Sequence, residues 1–162
     1  MVENIVNAIV DFFKNVLSAE LIAFVVSIFP VLELRGGMIA ARLLEIDFIK
    51  AFIICYIGNM IPIPFILLFI KKIFAVMRKN KHLAKIVKKL EARSDKKKST
   101  MEKYKEWGLL LFVAIPLPGT GGWTGALIAA LMDLRFKKSL PIIALGVLIA
   151  GIIMSLVTYG IF

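Results

Sequence analysis

Apolar residues in this chain fall into four long blocks, Leu21–Leu44, Phe48–Ile70, Trp107–Met132 and Leu140–Phe162, with one extended polar segment between the second and third. The second and fourth blocks read as ordinary membrane spans. About 23 residues at ~1.5 Å rise per residue cross a hydrocarbon core of ~30 Å with some tilt. Pro62 and Pro64 are expected to kink or loosen the second block, and Gly146, Gly151 and Gly160 to let the fourth approach a neighbour closely. Ahead of the blocks, Ile5, Ile9, Phe12, Phe13 and Val16 recur at helical spacing beside Glu3, Asp11 and Lys14. Residues 1–19 therefore read as an amphipathic helix that lies in the membrane interface or packs on the rest of the protein. They lack the basic start and small-residue cleavage site of a signal peptide.

The first and third blocks are broken near their centres, by FPVLELRGG at Phe29–Gly37 and by IPLPGTGGW at Ile115–Trp123. The two prolines and three glycines between Pro116 and Gly122 remove backbone donors and favour non-helical dihedrals, so a bend is expected there. The flanking pieces, such as Leu21–Phe29 and Gly122–Met132, are roughly 9 to 11 residues long, too short to cross a bilayer alone. Each broken block is expected to enter the membrane, turn near mid-depth and leave on the same side, with protein or a watery cavity around its turn. Sliding the sequence by 86 sets Pro30 on Pro116, Gly36 on Gly122, Ala40 on Ala126 and Asp47 on Asp133. The expected fold is an all-α integral membrane protein of two inverted repeats, each a re-entrant helical hairpin plus one transmembrane helix, with an N-terminal amphipathic helix. Within this single membrane domain, residues 20–70 form the first repeat, 71–106 a basic cytoplasmic loop and 107–162 the second repeat. If Leu21–Leu44 spans as one bent helix instead, the termini change sides while Glu33 and Arg35 stay buried.

Composition supports a membrane setting. An apolar content of 60% and a mean hydropathy of +0.88 exceed what a soluble domain of 162 residues can bury. The net charge of +10 would suit nucleic acid if it were spread over a surface. Its distribution argues against that partner. Fourteen Lys or Arg and four Asp or Glu lie between Lys71 and Glu106, and the remaining seven basic and seven acidic residues cancel. The positive-inside rule places such a segment in the cytoplasm of a multi-pass protein of the inner or plasma membrane. Arg135, Lys137 and Lys138 fall on that side, and Glu20, Glu45, Asp47 and Lys50 on the other. Within the segment, Leu83, Ile86, Val87 and Leu90 predict a basic amphipathic helix able to hold anionic membrane lipid, at about 1 kcal/mol per basic residue. The plain alternative is a solvated helix that only enforces orientation.

The single cysteine, Cys55, and the single histidine, His82 among lysines, provide no disulfide, metal cluster or cofactor site. Glu33 and Arg35 are the opposite charges set deep in an apolar block, where an isolated charge costs ~2.5 to 3.5 kcal/mol on insertion scales. A spacing of two puts them on different faces of a regular helix. They either pair through a bend at Gly36 and Gly37 or have separate partners. Arg35 suits an anionic group, and Glu33 is the candidate proton-coupling residue, since burial favours a neutral carboxyl and a nearby cation a charged one. The bland reading is a buried ion pair that fixes the hairpin. Opposite, Pro118, Gly119, Thr120, Gly121 and Gly122 lead into a helix whose N-terminal amides favour anions, or form a turn needed only for packing. Arg42 could share the face of Arg35 or snorkel. Asn59 is expected to bond across helices and to reach the pocket, Trp123 to line it, and Trp107 to anchor at the interface.

The pair of motifs ELRGG and PLPGTGGWTGAL resembles the family of small multidrug export proteins over nearly the whole chain. That family is in turn similar to the DedA superfamily, which the resemblance associates with two facing re-entrant hairpins and recycling of polyprenyl phosphate carrier lipid. By this resemblance Glu33 and Arg35 correspond to the acidic and basic residues of the first hairpin. Thr120 and glycines stand where the second hairpin of DedA proteins typically carries arginine. The expectation is a transporter of an anionic amphiphile or polyprenyl-phosphate-type lipid by alternating access, proton- or sodium-coupled, with no enzymatic role. The alternatives are an exporter of amphipathic drugs and a non-transporting membrane scaffold. Gly125, Gly146 and Gly151 point to a homodimer.

Overall fold

The computed structural model describes residues 2–117 and 119–160, apart from the side chains of residues 2, 82, 90 and 93–105. The described residues form helices α1 (Val2–Phe13), α2 (Ala19–Ile28), α3 (Glu33–Leu43), α4 (Phe48–Met60), α5 (Pro62–Met77), α6 (Lys81–Ala114), α7 (Gly122–Leu131) and α8 (Phe136–Tyr159), with no strand among them.

Local chemistry sets the boundaries. The Ser18 hydroxyl accepts from the Leu21 amide and starts α2. Phe29 is extended (φ −70°, ψ 136°) because it precedes Pro30, and α2 stops there. The interruption of the first block is shorter than FPVLELRGG implies. It is confined to Phe29–Leu32, and Gly36 and Gly37 lie inside α3. Their role is packing. A Cβ on Gly37 would collide with the Ser27 hydroxyl and meet the Cys55 sulfur, and one on Gly36 would meet Leu32 and Val26. In the second block the break runs from Ile115 to Gly121.

Three further expectations need correction. The N-terminal helix ends at Phe13 rather than near residue 19. It packs on α2 and α3 through Val6 and Val10 while Phe12 stays 74% exposed. The second span extends past Ile70: α4 and α5 abut at Ile61, where Pro62 begins a new helix, and together run from Phe48 to Met77. The basic segment 71–106 is helical over most of its length, since α5 reaches Met77 and α6 continues unbroken from Lys81 into the third apolar block. Val87 is buried as the helical spacing requires, whereas Leu83 and Ile86 are exposed and the Leu90 side chain lies outside the described residues.

Both Phe48–Met77 and Phe136–Tyr159 are long and apolar enough to cross a membrane, and only 28% and 33% of their most apolar windows are buried within the protein. The rest of that apolar surface faces outward, as a lipid-facing helix requires and a soluble core helix does not.

The two halves repeat an order of short arm, turn, short helix, tight close and long helix. The first arms end 86 residues apart, at Ile28 and Ala114, but the ends of the short helices and the starts of the long ones match at 88: Leu43 with Leu131, and Phe48 with Phe136. The second turn is therefore longer, and the single offset of 86 holds only for the first arms. Both tight closes are Schellman motifs. Glu45 (φ 56°) and Asp133 (φ 57°) take the left-handed position, while the Ile46 amide donates to the Ala41 carbonyl at 2.9 Å and the Leu134 amide to the Ala129 carbonyl at 3.0 Å.

Glycine contacts repeat with the same offsets. Gly37 lies on Ser27 and Gly125 on Val113; Gly58 lies on the Phe24 carbonyl and Ser27, and Gly146 on the Leu110 carbonyl and Val113. Gly151 lies against Phe52 and Leu34. Gly125, Gly146 and Gly151 thus serve contacts inside one chain, and the small-residue argument for a homodimer falls. Gly160 is a left-handed cap of α8 with open space around its Cβ position, so it is not a close-packing residue either. Gly37→Ala and Gly125→Ala are each expected to destabilise the protein by about 1–3 kcal/mol through overpacking, seen as a lowered midpoint of thermal unfolding in detergent.

Candidate functional site

The two turns bind each other. Glu33 opens α3 with a left-handed backbone (φ 51°), a conformation that costs a non-glycine residue about 1–3 kcal/mol and needs surrounding contacts to hold it. Its side chain is 4% exposed and crosses to the other half, where Oε2 accepts from the Gly122 amide at 3.0 Å. Gly122 begins α7, so the carboxylate caps a helix N-terminus, where amide donors are unpaired and the dipole favours negative charge. Gly121 must be glycine on two counts: its φ is 130°, and a Cβ there would overlap the Glu33 carboxylate.

Arg35, half-buried one step along the same helix, does not pair with Glu33. Its guanidinium donates to the Leu117 and Thr120 carbonyls of the second turn. Trp123 returns the arrangement, with Nε1 donating to the Ile28 carbonyl at the end of α2 (2.9 Å). The Thr120 hydroxyl holds the second turn in shape by donating within it, at 2.6 Å to the Ile115 carbonyl, and by accepting from the Leu117 amide at 3.1 Å. Of the two arrangements open to Glu33 and Arg35, separate partners is therefore the one adopted. The glycine-rich nest is also not vacant, because Glu33 fills the Gly122 amide and the Thr120 amide donates to Leu117.

Two cavities adjoin this latch and share Glu33 and Arg35 as lining. One is a small chamber of about 10 Å³, the space of one water, walled by Glu33, Arg35, Asn59, Gly121 and Gly122 together with apolar residues such as Val113 and Val147. Asn59 is 1% exposed and its Oδ1 has no hydrogen-bond partner, a state that costs about 1–3 kcal/mol. The other is a cavity of about 450 Å³. Glu33, Arg35, Thr120 and Thr124 line one part of it, and Ile66, Ile70, Phe74 and Leu127 supply apolar wall.

Among the residues expected at the site, Glu33, Arg35, Asn59, Gly119, Thr120, Gly121, Gly122 and Trp123 gather at these two cavities. Pro118 lies outside the described residues. Gly36 is buried in packing, and Arg42 sits exposed at the end of α3 over the Tyr159 ring (5.5 Å), away from both cavities. The wall from α5 and Thr124 escaped the sequence reading. Thr124 adjoins Trp123 in the motif and was within reach, but Ile66, Ile70 and Phe74 look like any span residues until α5 packs on α7.

Charged pairs sort to separate ends. Lys50 bonds Glu20 at 2.6 Å, which holds that carboxyl below its ordinary range. Lys71 pairs with Asp133, and Lys138 with Glu106 at 2.6 Å. No group of acidic, histidine or cysteine residues able to hold a metal occurs among the described residues.

Long outward-facing apolar helices, short helices meeting at a buried polar latch and a cavity with polar and apolar walls define a helical membrane protein of transport type. The chain belongs to the family described as "Putative small multi-drug export protein", whose profile matches residues 33–153, a range that holds Glu33, Arg35, Asn59 and the second turn but not the first turn before Glu33. No curated protein and no solved structure matches it. Arg35→Lys, which keeps the charge but loses the planar fork, is expected to cost about 1–3 kcal/mol in thermal stability. Trp123→Phe, which orphans one carbonyl, is expected to cost a similar amount on the same measurement.

Proposed function

We propose that the protein is a membrane transporter for an anionic amphiphile, of which a polyprenyl-phosphate-type lipid is one example, and that the 450 Å³ cavity receives it. The observation that carries this reading is the cavity lining: the Arg35 guanidinium, the Glu33 carboxylate and two threonines supply its polar groups, and aliphatic and aromatic residues of α5 and α7 much of its apolar surface. Its volume is that of a small-molecule site. A charged head would meet Arg35, Thr120 and Thr124, and an apolar tail would lie along Ile66, Ile70 and Phe74. Arg35 spends two of its five N–H donors on turn carbonyls and keeps the others.

In this reading α2–α3 and the end of α6 with α7 are re-entrant hairpins of opposite orientation, meeting through their turns near mid-depth. The repeated glycine contacts support the two-fold duplication, and the sorting of ion pairs supports the orientation. Asp133 and Lys138 pair with residues flanking the basic segment, while Glu20 and Lys50 pair with each other. The basic segment then lies in the cytoplasm, where α6 can rest on anionic lipid. Alternating access would require the turns to part, because Glu33 and Arg35 tie them together and line both cavities.

Export of cationic amphipathic compounds is the second reading, favoured by the family description and by Glu33 on the same wall. The two differ in which charge the cargo needs. Purified protein is expected to bind a short-chain polyprenyl phosphate saturably, and Ile70→Trp, which fills the apolar part without touching the latch, to weaken binding by a factor on the order of ten or more. Equal binding by wild type and Ile70→Trp would remove the cavity as the site. Saturable binding of a cationic amphiphile but no phosphate would favour the second reading.

A further inference from the structure

We propose that Glu33 and the anionic head of the cargo compete for the N-terminus of α7, and that Asn59 Oδ1 accepts a hydrogen bond from the carboxyl O–H that Glu33 gains when the cargo displaces it. This rests on the anionic-cargo reading above and adds its coupling.

The argument starts from the occupancy of the latch. One negative group, the Glu33 carboxylate, fills the Gly122 amide and stands beside the Arg35 guanidinium. A second anion drawn to Arg35 from the large cavity would meet that carboxylate across a low-dielectric gap, where like charges repel strongly. The site therefore holds one negative charge at a time. Cargo enters when Glu33 becomes neutral, and a neutral carboxyl is a poorer partner for the helix N-terminus and has a proton to donate.

The structure contains a hydrogen-bond acceptor for that O–H. Asn59 Oδ1 is buried, has no hydrogen-bond partner, and lines the same water-sized chamber as Glu33, Gly121 and Gly122. With Glu33 ionised, its carboxylate and Asn59 Oδ1 are both acceptors and cannot bond each other. Protonated, Glu33 has the O–H that Asn59 lacks, given directly or through one water in the chamber. Glu33 then has two arrangements: ionised and bonded to Gly122, or protonated and bonded toward Asn59 with the Gly122 amide released to the cargo.

Surrounding charges leave Glu33 as the titrating group. Among the described residues, Arg35 is the one other charged side chain on either cavity wall. On the helices packed against α3, Glu20 of α2 and Lys50 of α4 pair with each other, and α1 presents Val6 and Val10. Tyr56 of α4 and Tyr159 of α8 donate to the Ala144 and Ile46 carbonyls, and Lys138 of α8 pairs with Glu106. Helix α7 carries no ionisable residue.

The test uses full-length protein in detergent and dodecyl methyl phosphate, a diester whose single charge is fixed across the pH range studied. Calorimetry in two buffers of different ionisation enthalpy is expected to show uptake of about one proton per probe bound at alkaline pH, with affinity falling about tenfold per pH unit there. Glu33→Gln is expected to bind with no proton uptake and a flat pH profile. Asn59→Leu keeps Glu33 but removes the acceptor, and its profile is expected to shift toward lower pH, which a merely structural role would not produce. Probe binding by wild type without proton uptake, or a wild-type pH profile in both variants, overturns the competition and leaves the anionic cargo standing. Failure of wild type and Asn59→Leu to bind the probe at any pH overturns the cargo reading and this proposal together.

Discussion

Two breaks in helical structure sit within apolar blocks, and a broken helix exposes amides and carbonyls that lipid cannot satisfy. Each such group left bare costs several kcal/mol in hydrocarbon. The structure meets this constraint by letting the breaks satisfy each other. Glu33 takes an amide of the second turn, Arg35 takes two of its carbonyls, and Trp123 donates to the carbonyl that closes α2. Remove any one of these and a polar backbone group is stranded in an apolar setting. The left-handed backbone at Glu33 and the glycine at Gly121 follow from the same requirement, since the carboxylate must reach across and the opposing chain must leave room for it.

The matching order of elements in the two halves goes with a nearly reciprocal exchange. At the offset that matches the later elements, Arg35 corresponds to Trp123 and Glu33 to Gly121. Arg35 and Trp123 each reach over to carbonyls of the opposite half, one with a charged fork and one with a neutral indole N–H. Trp123 thus stands in the second half where Arg35 stands in the first, and the charged pair lies wholly on the first half. The two cavities at the latch differ in character: a water-sized chamber that includes Asn59, and a larger one of about 450 Å³.

Packing of the arms depends on small residues rather than on polar bonds. Gly37, Gly58, Gly125 and Gly146 bring helices within contact of Ser27, Val113 and the carbonyls of Phe24 and Leu110. Close approach of this kind substitutes for a hydrophobic driving force that is weak between helices in lipid. It also holds the arms firmly enough for the turns to meet at fixed distance.

Local composition and spacing were enough to give the blocks, their two central breaks, the placing of Glu33 and Arg35 at the first of them, and the basic segment. The sequence placed the first break too broadly: Gly36 and Gly37 are breakers by propensity, but inside α3 their missing side chains are what Ser27 and Cys55 need. It left open whether Glu33 and Arg35 pair, and it assigned the glycine nest to a ligand that Glu33 precedes. Only the tertiary structure decided these points, since which donor meets which carbonyl across more than 80 residues of chain depends on how the arms pack. The wall from Ile66, Ile70 and Phe74 was hidden for the same reason. Span residues look alike along a sequence, and a cavity exists only once two helices have been set side by side.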